Sequence, residues 1–270
     1  MDINGKVAVI TGAGSGIGAA LARALAAEGA HVALADLDGD AAENVAEDIE
    51  GAVSYAVDVT DESQVVDLVR NVEEQLGPID LFCSNAGVLV LDMPGWTAVS
   101  APNDAWQRAW EVHVMAHIYA ARACLPGMIQ RGSGYLLNTV SAAGLLHQIG
   151  GAPYSTTKHA AIGFAESVSI THHDHGIRVS VLCPQGVKTP MVAGAGAMAS
   201  DGGPAGVDGM LTPEAVVEAA LRGLEKEDFL ILPHPEVAQY FQNKAEDYDR
   251  WLGGMRKLRR RFPFPEPKFD

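Results

Sequence analysis

The sequence predicts an α/β fold: one doubly wound parallel β-sheet of seven strands, covered by helices on both faces. Short apolar runs alternate with longer runs of helical periodicity from residue 6 to about residue 232. No Ser/Pro-rich linker interrupts this alternation, which indicates a single domain. Residues 1–232 form the body of that domain, and residues 233–270 form a C-terminal helical extension and arm.

The elements follow one another in the order expected for parallel strands joined by crossover helices. The predicted strands lie at residues 6–10, 31–35, 53–57, 79–84, 134–140, 177–183 and 228–232. The predicted helices lie at about residues 16–29, 39–49, 61–76, 103–131, 152–174 and 212–224. The last helix has a clear start at Thr212-Pro213-Glu214, where a threonine N-cap precedes a proline in the first turn.

The first strand leads into a glycine-rich turn, Thr11-Gly12-Ala13-Gly14-Ser15-Gly16-Ile17-Gly18, and then into a helical run. Strand, glycine turn and helix in this order form a cradle for a pyrophosphate. The glycines let the backbone approach the phosphates, and the helix N-terminus presents free N–H groups to the anion. The predicted dinucleotide contacts in this turn are Gly12, Ser15, Gly16, Ile17 and Gly18.

The second strand ends at Asp36, eighteen residues after Gly18. A carboxylate at this place can accept hydrogen bonds from both ribose hydroxyls, and it would repel a 2′-phosphate. Neither Ser15 nor Leu37 is basic, so no neighbouring residue compensates for such a phosphate. The sequence therefore predicts NAD rather than NADP as the cofactor.

A tyrosine and a lysine share one face of the predicted helix 152–174, because Tyr154 and Lys158 are four residues apart. A free phenol has a pKa near ~10, and a neighbouring ammonium is expected to lower it. Ser141, thirteen residues before the tyrosine, can hold a substrate oxygen while the proton moves. This equipment predicts proton transfer between Tyr154 and an alcohol or carbonyl, coupled to hydride transfer with the nicotinamide.

These residues together resemble the short-chain dehydrogenase/reductase family, in its short single-domain branch, over residues 3 to about 232. The turn at residues 11–18 resembles the family's Thr-Gly-x-x-x-Gly-x-Gly, and Ser141, Tyr154 and Lys158 resemble its catalytic residues. The resemblance implies a Rossmann-type fold, in which the tyrosine and the lysine also contact the cofactor. The further cofactor contacts it implies are Asp58 and Val59 at the adenine, Asn85, Ala86 and Gly87 after the fourth strand, and Pro184, Gly186, Val187 and Thr189 at the nicotinamide.

Two positions depart from the family pattern. Gln185 stands where the family usually has a glycine, and His113, in Val112-His113-Val114-Met115-Ala116, stands where it usually has an asparagine. In the family this asparagine helps to hold a water that links the catalytic lysine to solvent. An imidazole both donates and accepts hydrogen bonds, so we expect His113 to take over that role and count it with the catalytic residues.

The resemblance and the residues around Ser141 indicate a secondary alcohol or ketone as substrate, converted at its CH–OH group. The run Gly144-Leu145-Leu146 with Ile149 nearby favours a largely apolar or cyclic molecule. Residues 192–211, rich in Gly and Ala, are expected to form a mobile substrate flap, with a passive loop as the alternative. The predicted substrate contacts are Ser141, His147, Tyr154 and Gln185, although His147 equally suits a surface loop.

Two other functions remain open at this level. A 3-oxoacyl reductase would normally use NADPH, and Asp36 argues against that cofactor. A non-catalytic protein that binds NAD without turnover is favoured only by the unusual His113.

The charge of the chain restricts its partners. The net charge is −15, and an acidic body disfavours nucleic-acid binding. The basic residues Arg250, Arg256, Lys257, Arg259, Arg260 and Arg261 nevertheless follow one another without an acid. They could bind nucleic acid or an anionic membrane, but we expect them to lie on an acidic surface of this or a neighbouring subunit. Apolar residues at near-helical spacing over 251–262 predict an amphipathic helix there.

The remaining features concern compartment and assembly. Cys83, Cys124 and Cys183 are expected to be buried reduced thiols, which favours a cytoplasmic protein. No leader is evident, and no apolar stretch is long enough to span a bilayer. No metal is expected, because His113 and His117 lack the glutamate of a His-Glu-x-x-His site. The family resemblance implies a homotetramer or homodimer, with an arm that could cross to another subunit.

Overall fold

The computed structural model describes residues 1–193 and 202–266. Within them, seven parallel strands form one sheet in the order β3-β2-β1-β4-β5-β6-β7. The strands are β1 (Val7–Thr11), β2 (His31–Asp36), β3 (Val53–Ala56), β4 (Leu81–Ser84), β5 (Gly134–Thr139), β6 (Ile177–Leu182) and β7 (Leu230–Ile231). The predicted doubly wound sheet is thus confirmed. The strand order reverses between β1 and β4, the place where such sheets bind ligands beyond their carboxyl ends.

Helices cover both faces of the sheet. They are α1 (Gly16–Ala27), α2 (Gly39–Glu47), α3 (Glu62–Leu76), α4 (Asn103–Trp110), α5 (Ala116–Arg131), α6 (Ala152–His172), α7 (Pro190–Ala193), α8 (Pro213–Lys226), α9 (Glu236–Glu246) and α10 (Tyr248–Arg259). Successive residues of β1 serve opposite sides: Val9 belongs to one buried apolar cluster, and Ile10 belongs to the other. Because both faces are covered, the strand is a continuous apolar run rather than an alternating one.

The prediction of one continuous α-helix over residues 103–131 is wrong in one respect. A π-helical turn, Glu111–Met115, separates α4 from α5. Such a turn accommodates an extra residue without ending the helix, and it is frequent at functional sites. His113 lies in this turn, where its ring bonds to two neighbouring segments.

The C-terminal extension also differs from the expectation. Besides the predicted amphipathic helix, now α10, it contains α9, which the sequence did not indicate. After α10 the chain folds back on its own body, and the rings of Phe264 and Trp96 lie 5.7 Å apart edge to face. The described part of the arm therefore packs on its own chain. Within the described ranges, no helix is both long and apolar enough to cross a membrane.

Candidate active site

The glycine-rich turn after β1 is packed so closely that side chains are excluded. Gly12 has a φ of +65°, and a Cβ there would lie 2.9 Å from the Ala86 backbone. A Cβ on Gly18 would collide with the Gly12 carbonyl oxygen. The first N–H groups of α1, which begins at Gly16, lack partners within the helix. The turn thus has the bare backbone and the helix N-terminus that a pyrophosphate requires.

The turn after β4 supports this cradle through Thr11 and Asn85. The Asn85 side-chain amide donates to the Thr11 carbonyl at 3.0 Å and to the Gly12 carbonyl at 3.3 Å. The Thr11 hydroxyl in turn accepts from the N–H groups of Asn85 and Ala86, at 3.0 and 3.1 Å. These bonds tie the ends of two adjacent strands together at the point where the sheet order reverses.

Two carboxylates lie at the carboxyl ends of β2 and β3: Asp36 is the last residue of β2, and Asp58 follows β3 by two residues. Asp36 accepts from the N–H groups of Gly14 at 2.9 Å and Asp38 at 3.0 Å. Asp58 accepts from the Thr60 N–H and hydroxyl at 2.9 and 2.7 Å. Burial alone would raise the pKa of Asp58, but these hydrogen bonds and the nearby Arg108 lower it overall. Asp36 is therefore anchored at the glycine turn, and Asp58, followed by Val59, lies at the next strand.

The segment after β6 lies against the glycine turn. A Cβ on Gly16 would approach Thr189 Cγ2 to 3.1 Å. Val187 forms a parallel bridge with Leu211, which holds the segment in place. Upstream, the Gln185 N–H donates to His234 Nδ1 at 3.1 Å. The segment that contains Pro184, Gly186, Val187 and Thr189 thus runs from the predicted catalytic Ser141, which contacts Pro184, to the glycine turn, which contacts Thr189.

Ser141, Tyr154 and Lys158 converge at the carboxyl end of β5. Ser141 Oγ accepts from the Ala143 N–H at 3.1 Å and donates to the Pro184 carbonyl at 3.4 Å. Tyr154 lies in the first turn of α6, and Lys158 Nζ is 5.7 Å from the centre of its ring. The lysine ammonium donates to the Thr139 carbonyl at 3.2 Å. The prediction that the phenol and the ammonium lie on one face of the helix is therefore confirmed.

The pKa of Tyr154 is raised, whereas the neighbouring lysine was expected to lower it. Burial raises the pKa of the phenol, and the neighbouring Ser141 hydroxyl only opposes this rise. Burial also lowers the pKa of Lys158 to about 8. Desolvation disfavours both the phenolate and the ammonium, which accounts for both directions.

His113 joins the turn after β4 to helix α6. Its Nε2 accepts from the Val88 N–H at 3.1 Å, so this nitrogen carries no proton. Its Nδ1 can then donate to Thr157 Oγ1 at 2.8 Å, while that hydroxyl donates to the Pro153 carbonyl at 2.8 Å. Burial above all, then Lys158 and His117, hold the pKa of His113 well below its usual value.

This geometry favours a positioning role for His113 over the water-holding role implied by the family. Both ring nitrogens are bonded to protein groups, which leaves neither for a water. Val88 adjoins Gly87, and Thr157 adjoins Lys158, so the imidazole fixes the distance between the predicted cofactor turn and the catalytic helix. Its ring also stands perpendicular to that of Tyr154, with centres 5.4 Å apart.

The four predicted substrate contacts line one cavity of about 720 Å³. Ser141, His147, Tyr154 and Gln185 are all among its lining residues. Burial lowers the pKa of His147, which fits a neutral ring in an enclosed site. Of the predicted flap, Gly202, Pro204, Ala205 and Val207 line the cavity, whereas residues 194–201 lie outside the described ranges.

The sequence did not reveal the wall contributed by the C-terminal extension. The apolar members of this wall are Trp251, Met255, Leu258 and Phe264. The near-helical spacing of apolar residues over 251–262 indicated a helix with an apolar face. No local pattern indicated that this face would cover the site more than a hundred residues upstream.

Comparison with known proteins agrees with this geometry. The family model for short chain dehydrogenase matches residues 6–199. A 1-deoxy-11-beta-hydroxypentalenate dehydrogenase from Streptomyces exfoliatus is 36% identical over 253 residues, which cover 92% of this chain and 90% of that protein. The meso-2,3-butanediol dehydrogenase of Serratia marcescens is 35% identical over 196 residues, covering 72% and 76% of the two chains.

A solved structure extends the comparison to the whole fold. It is a short chain dehydrogenase/reductase from Burkholderia phymatum in complex with NAD, with a TM-score of 0.82 and 27% identity. The match covers 92% of this chain and 96% of that one. The sequence match and the shared fold together show that this chain belongs to the short-chain dehydrogenase/reductase family.

Proposed function

We propose that this protein is an NAD-dependent oxidoreductase that interconverts a secondary alcohol and a ketone on a largely apolar or cyclic substrate. One observation carries the proposal: Ser141 and Tyr154 line an apolar-walled cavity, with Lys158 one helical turn behind the phenol and the glycine cradle at the same sheet edge. Relatives named as dehydrogenases of a hydroxypentalenate and of a butanediol support an alcohol as substrate.

The cradle fits a dinucleotide. Gly12 to Gly18 would hold the pyrophosphate, Asp36 the adenosine ribose, and Asp58 with Val59 the adenine. The turn at residues 85–87 and the segment at residues 184–189 would hold the nicotinamide half, together with Tyr154 and Lys158. When bound, the nicotinamide supplies the hydride acceptor for oxidation and the hydride donor for reduction.

The surroundings of Asp36 favour NAD over NADP. Its carboxylate oxygens each accept one backbone N–H and retain lone pairs for ribose hydroxyls. Leu37, the next residue, is 63% exposed and uncharged. A 2′-phosphate would meet the carboxylate without a compensating cation at this position.

The proton chemistry follows from the three polar side chains. Ser141 and Tyr154 would hydrogen-bond the substrate oxygen in the cavity. In oxidation Tyr154 takes the hydroxyl proton, and in reduction it returns one to the carbonyl. Burial raises the pKa of Tyr154. Because reduction needs the phenol as an acid and oxidation needs the phenolate as a base, we expect the rate of reduction to be high at neutral pH and the rate of oxidation to increase as pH rises.

The experiment that tests the proposal is a scan of linear and cyclic secondary alcohols with NAD and with NADP, followed by nicotinamide absorbance. We expect turnover with NAD, best with cyclic or otherwise apolar alcohols. Preference for NADP would favour the 3-oxoacyl reductase alternative. Tight NAD binding without turnover of any alcohol or ketone would favour the non-catalytic alternative.

We further propose a cytoplasmic setting and a homodimer or homotetramer. The three described cysteines are buried and free, which suits a reducing compartment. The oligomeric state rests on the family resemblance alone, and light scattering on the purified protein measures it.

A further inference from the structure

We propose that the C-terminal extension, residues 235–266, carries a subsite for an anionic group of the substrate, with Arg250 and Arg261 as its cations. The ligand class is an apolar hydroxy acid or keto acid whose carboxylate lies away from the reacting carbon. The inference rests on the proposed function, since it assigns the substrate class of the same cavity.

The extension is fixed to the cavity by a buried lysine. Lys244, only 7% exposed, donates to the carbonyls of Leu145 at 2.7 Å and Leu146 at 3.2 Å. Its Nζ also lies 3.3 Å from Nε2 of His159, a nitrogen free to accept because Nδ1 donates to the Ser155 carbonyl at 2.8 Å. An ammonium with three acceptors is a well-satisfied buried group. Helix α9 is therefore held against the loop that precedes His147.

The same ammonium reaches the next helix. Its Nζ lies 4.9 Å from the ring centre of Trp251, within the range of a cation–π contact. Beyond α10, Phe264 packs on Trp96, and the guanidinium of Arg259 lies 5.2 Å from the Phe264 ring centre. Both ends of α10 are thus tied to the body of the protein. The wall that it forms is a built part of the cavity.

Two arginines of this wall line the cavity that contains Tyr154. Arg250 and Arg261 line it, whereas the neighbouring Arg256 and Arg260 do not. In the described ranges, no carboxylate lies within 4.0 Å of either lining guanidinium. Burial raises the pKa of Asp92, and Arg259, elsewhere in the basic segment, lies near enough to that carboxyl to oppose the rise.

The acids on the same wall already have partners. Asp208 accepts from the Tyr240 hydroxyl at 2.9 Å, and Glu246 accepts from Gln242 Nε2 at 2.8 Å. Asp247 caps α10 by accepting from the Arg250 N–H at 2.9 Å. Each of these carboxylates is hydrogen-bonded within the chain, and Arg250 and Arg261 are the arginines of the wall that line the cavity.

A guanidinium matches a carboxylate in shape and charge, and it pairs well at the edge of an apolar site. The net charge of the chain is −15, and Asp208, Glu246 and Asp247 also line the cavity. An anionic group would therefore depend on direct contacts with the two arginines rather than on the overall field of the protein. A substrate anchored through its carboxylate would extend its apolar body along the wall toward Ser141 and Tyr154.

The test compares hydroxy acids with their uncharged carboxamides. The probe pairs are lithocholate and 4-hydroxycyclohexanecarboxylate, each with its amide, in the presence of saturating NAD. We expect the parent protein to prefer a carboxylate over its amide by about tenfold in KM, as a charge-assisted contact predicts. This preference should weaken as ionic strength rises.

Two matched double variants distinguish direct binding at the subsite from a general effect of the positive charge of this segment. Arg250→Gln with Arg261→Gln should remove the preference, by raising KM for each acid to about the value for its amide. Arg256→Gln with Arg260→Gln removes the same charge from the same segment without touching the cavity, and should retain the preference. Equal effects of the two double variants, equal use of acid and amide, or no binding of either acid would overturn the inference.

Calorimetry distinguishes failure of this inference from failure of the proposed function. If carboxylate binding to the NAD-loaded protein depends on Arg250 and Arg261 but no probe is oxidised, the subsite stands and the proposed reaction falls. If amides and acids are oxidised equally, the reaction stands and the subsite falls.

Discussion

Replacing His113 by leucine is expected to destabilise the protein far more than the same replacement at His117, four residues later. Both rings are buried, at 0% and 2% exposure. His113 is hydrogen-bonded through both nitrogens, whereas neither nitrogen of His117 has a partner among the described residues. The comparison therefore isolates the two bonds of His113, since size and burial change alike.

The magnitude follows from the groups left behind. His113→Leu would leave the Val88 N–H without an acceptor, at a cost of about 1–3 kcal/mol, and remove a bond to Thr157 that contributes about 1 kcal/mol. We expect a loss of ~2–4 kcal/mol in the free energy of unfolding. His117→Leu removes a polar group that bonds to no described residue, so at neutral pH we expect little loss or a gain.

The loss of these hydrogen bonds should also change the kinetics. His113→Leu should raise KM for NAD and lower kcat, because the turn at Gly87 and the helix at Lys158 lose their link. His113→Asn, which can still donate and accept, should remain within about tenfold of the parent, a difference of ~1.4 kcal/mol. Urea unfolding and steady-state kinetics measure both effects. Equal stability losses in the two leucine variants, or parental kinetics in His113→Leu, would refute this reasoning.

Three further outcomes are expected. Asp36→Ala with Leu37→Arg should narrow or reverse an NAD preference of at least ~2–3 kcal/mol in kcat/KM, and equal use of NADP by the parent contradicts that assignment. Burial lowers the pKa of His117 from 6.5 to about 3 in the folded protein. As pH falls, the imidazole is therefore protonated in the unfolded state before it is protonated in the folded state. Urea unfolding should then show a stability loss that begins below ~6.5 and reaches ~2 kcal/mol at pH 5, and an equally steep loss in His117→Leu would exclude this cause. Lys244→Met should cost ~2–4 kcal/mol in unfolding free energy by leaving its acceptors unpaired, and should raise substrate KM more than it lowers kcat; parental stability would show that the bonds contribute nothing.

The features that the sequence predicted well are those with local physical causes. The glycine turn is recognisable because Gly12 and Gly18 occupy places where a side chain would collide with backbone. Tyr154 and Lys158 were paired correctly because helical periodicity alone brings them together. The start of α8 was predicted from its local capping residues, and Thr212 Oγ1 indeed accepts from the Ala215 N–H at 3.3 Å.

The features that it missed depend on contacts distant in the chain. The ammonium of Lys244 bonds to a carbonyl 99 residues away, and no periodicity records such a partner. The π-helical turn at residues 111–115 is flanked directly by α4 and α5, so the sequence around it resembled one continuous helix. The pKa of Tyr154 rises because the folded chain excludes water from the phenol, which the nearby lysine in the sequence could not reveal.

The measurement that tests the central claim most directly is turnover by Tyr154→Phe beside the parent, on the best alcohol from the scan. The variant should keep the fold and bind NAD with an affinity within a few-fold of the parent, measured by calorimetry. It should lose ~10²–10⁴ in kcat, the usual contribution of a general acid–base group. A Tyr154→Phe variant that oxidises the alcohol at a near-parental rate would show that the proton moves by another route, and would contradict the mechanism.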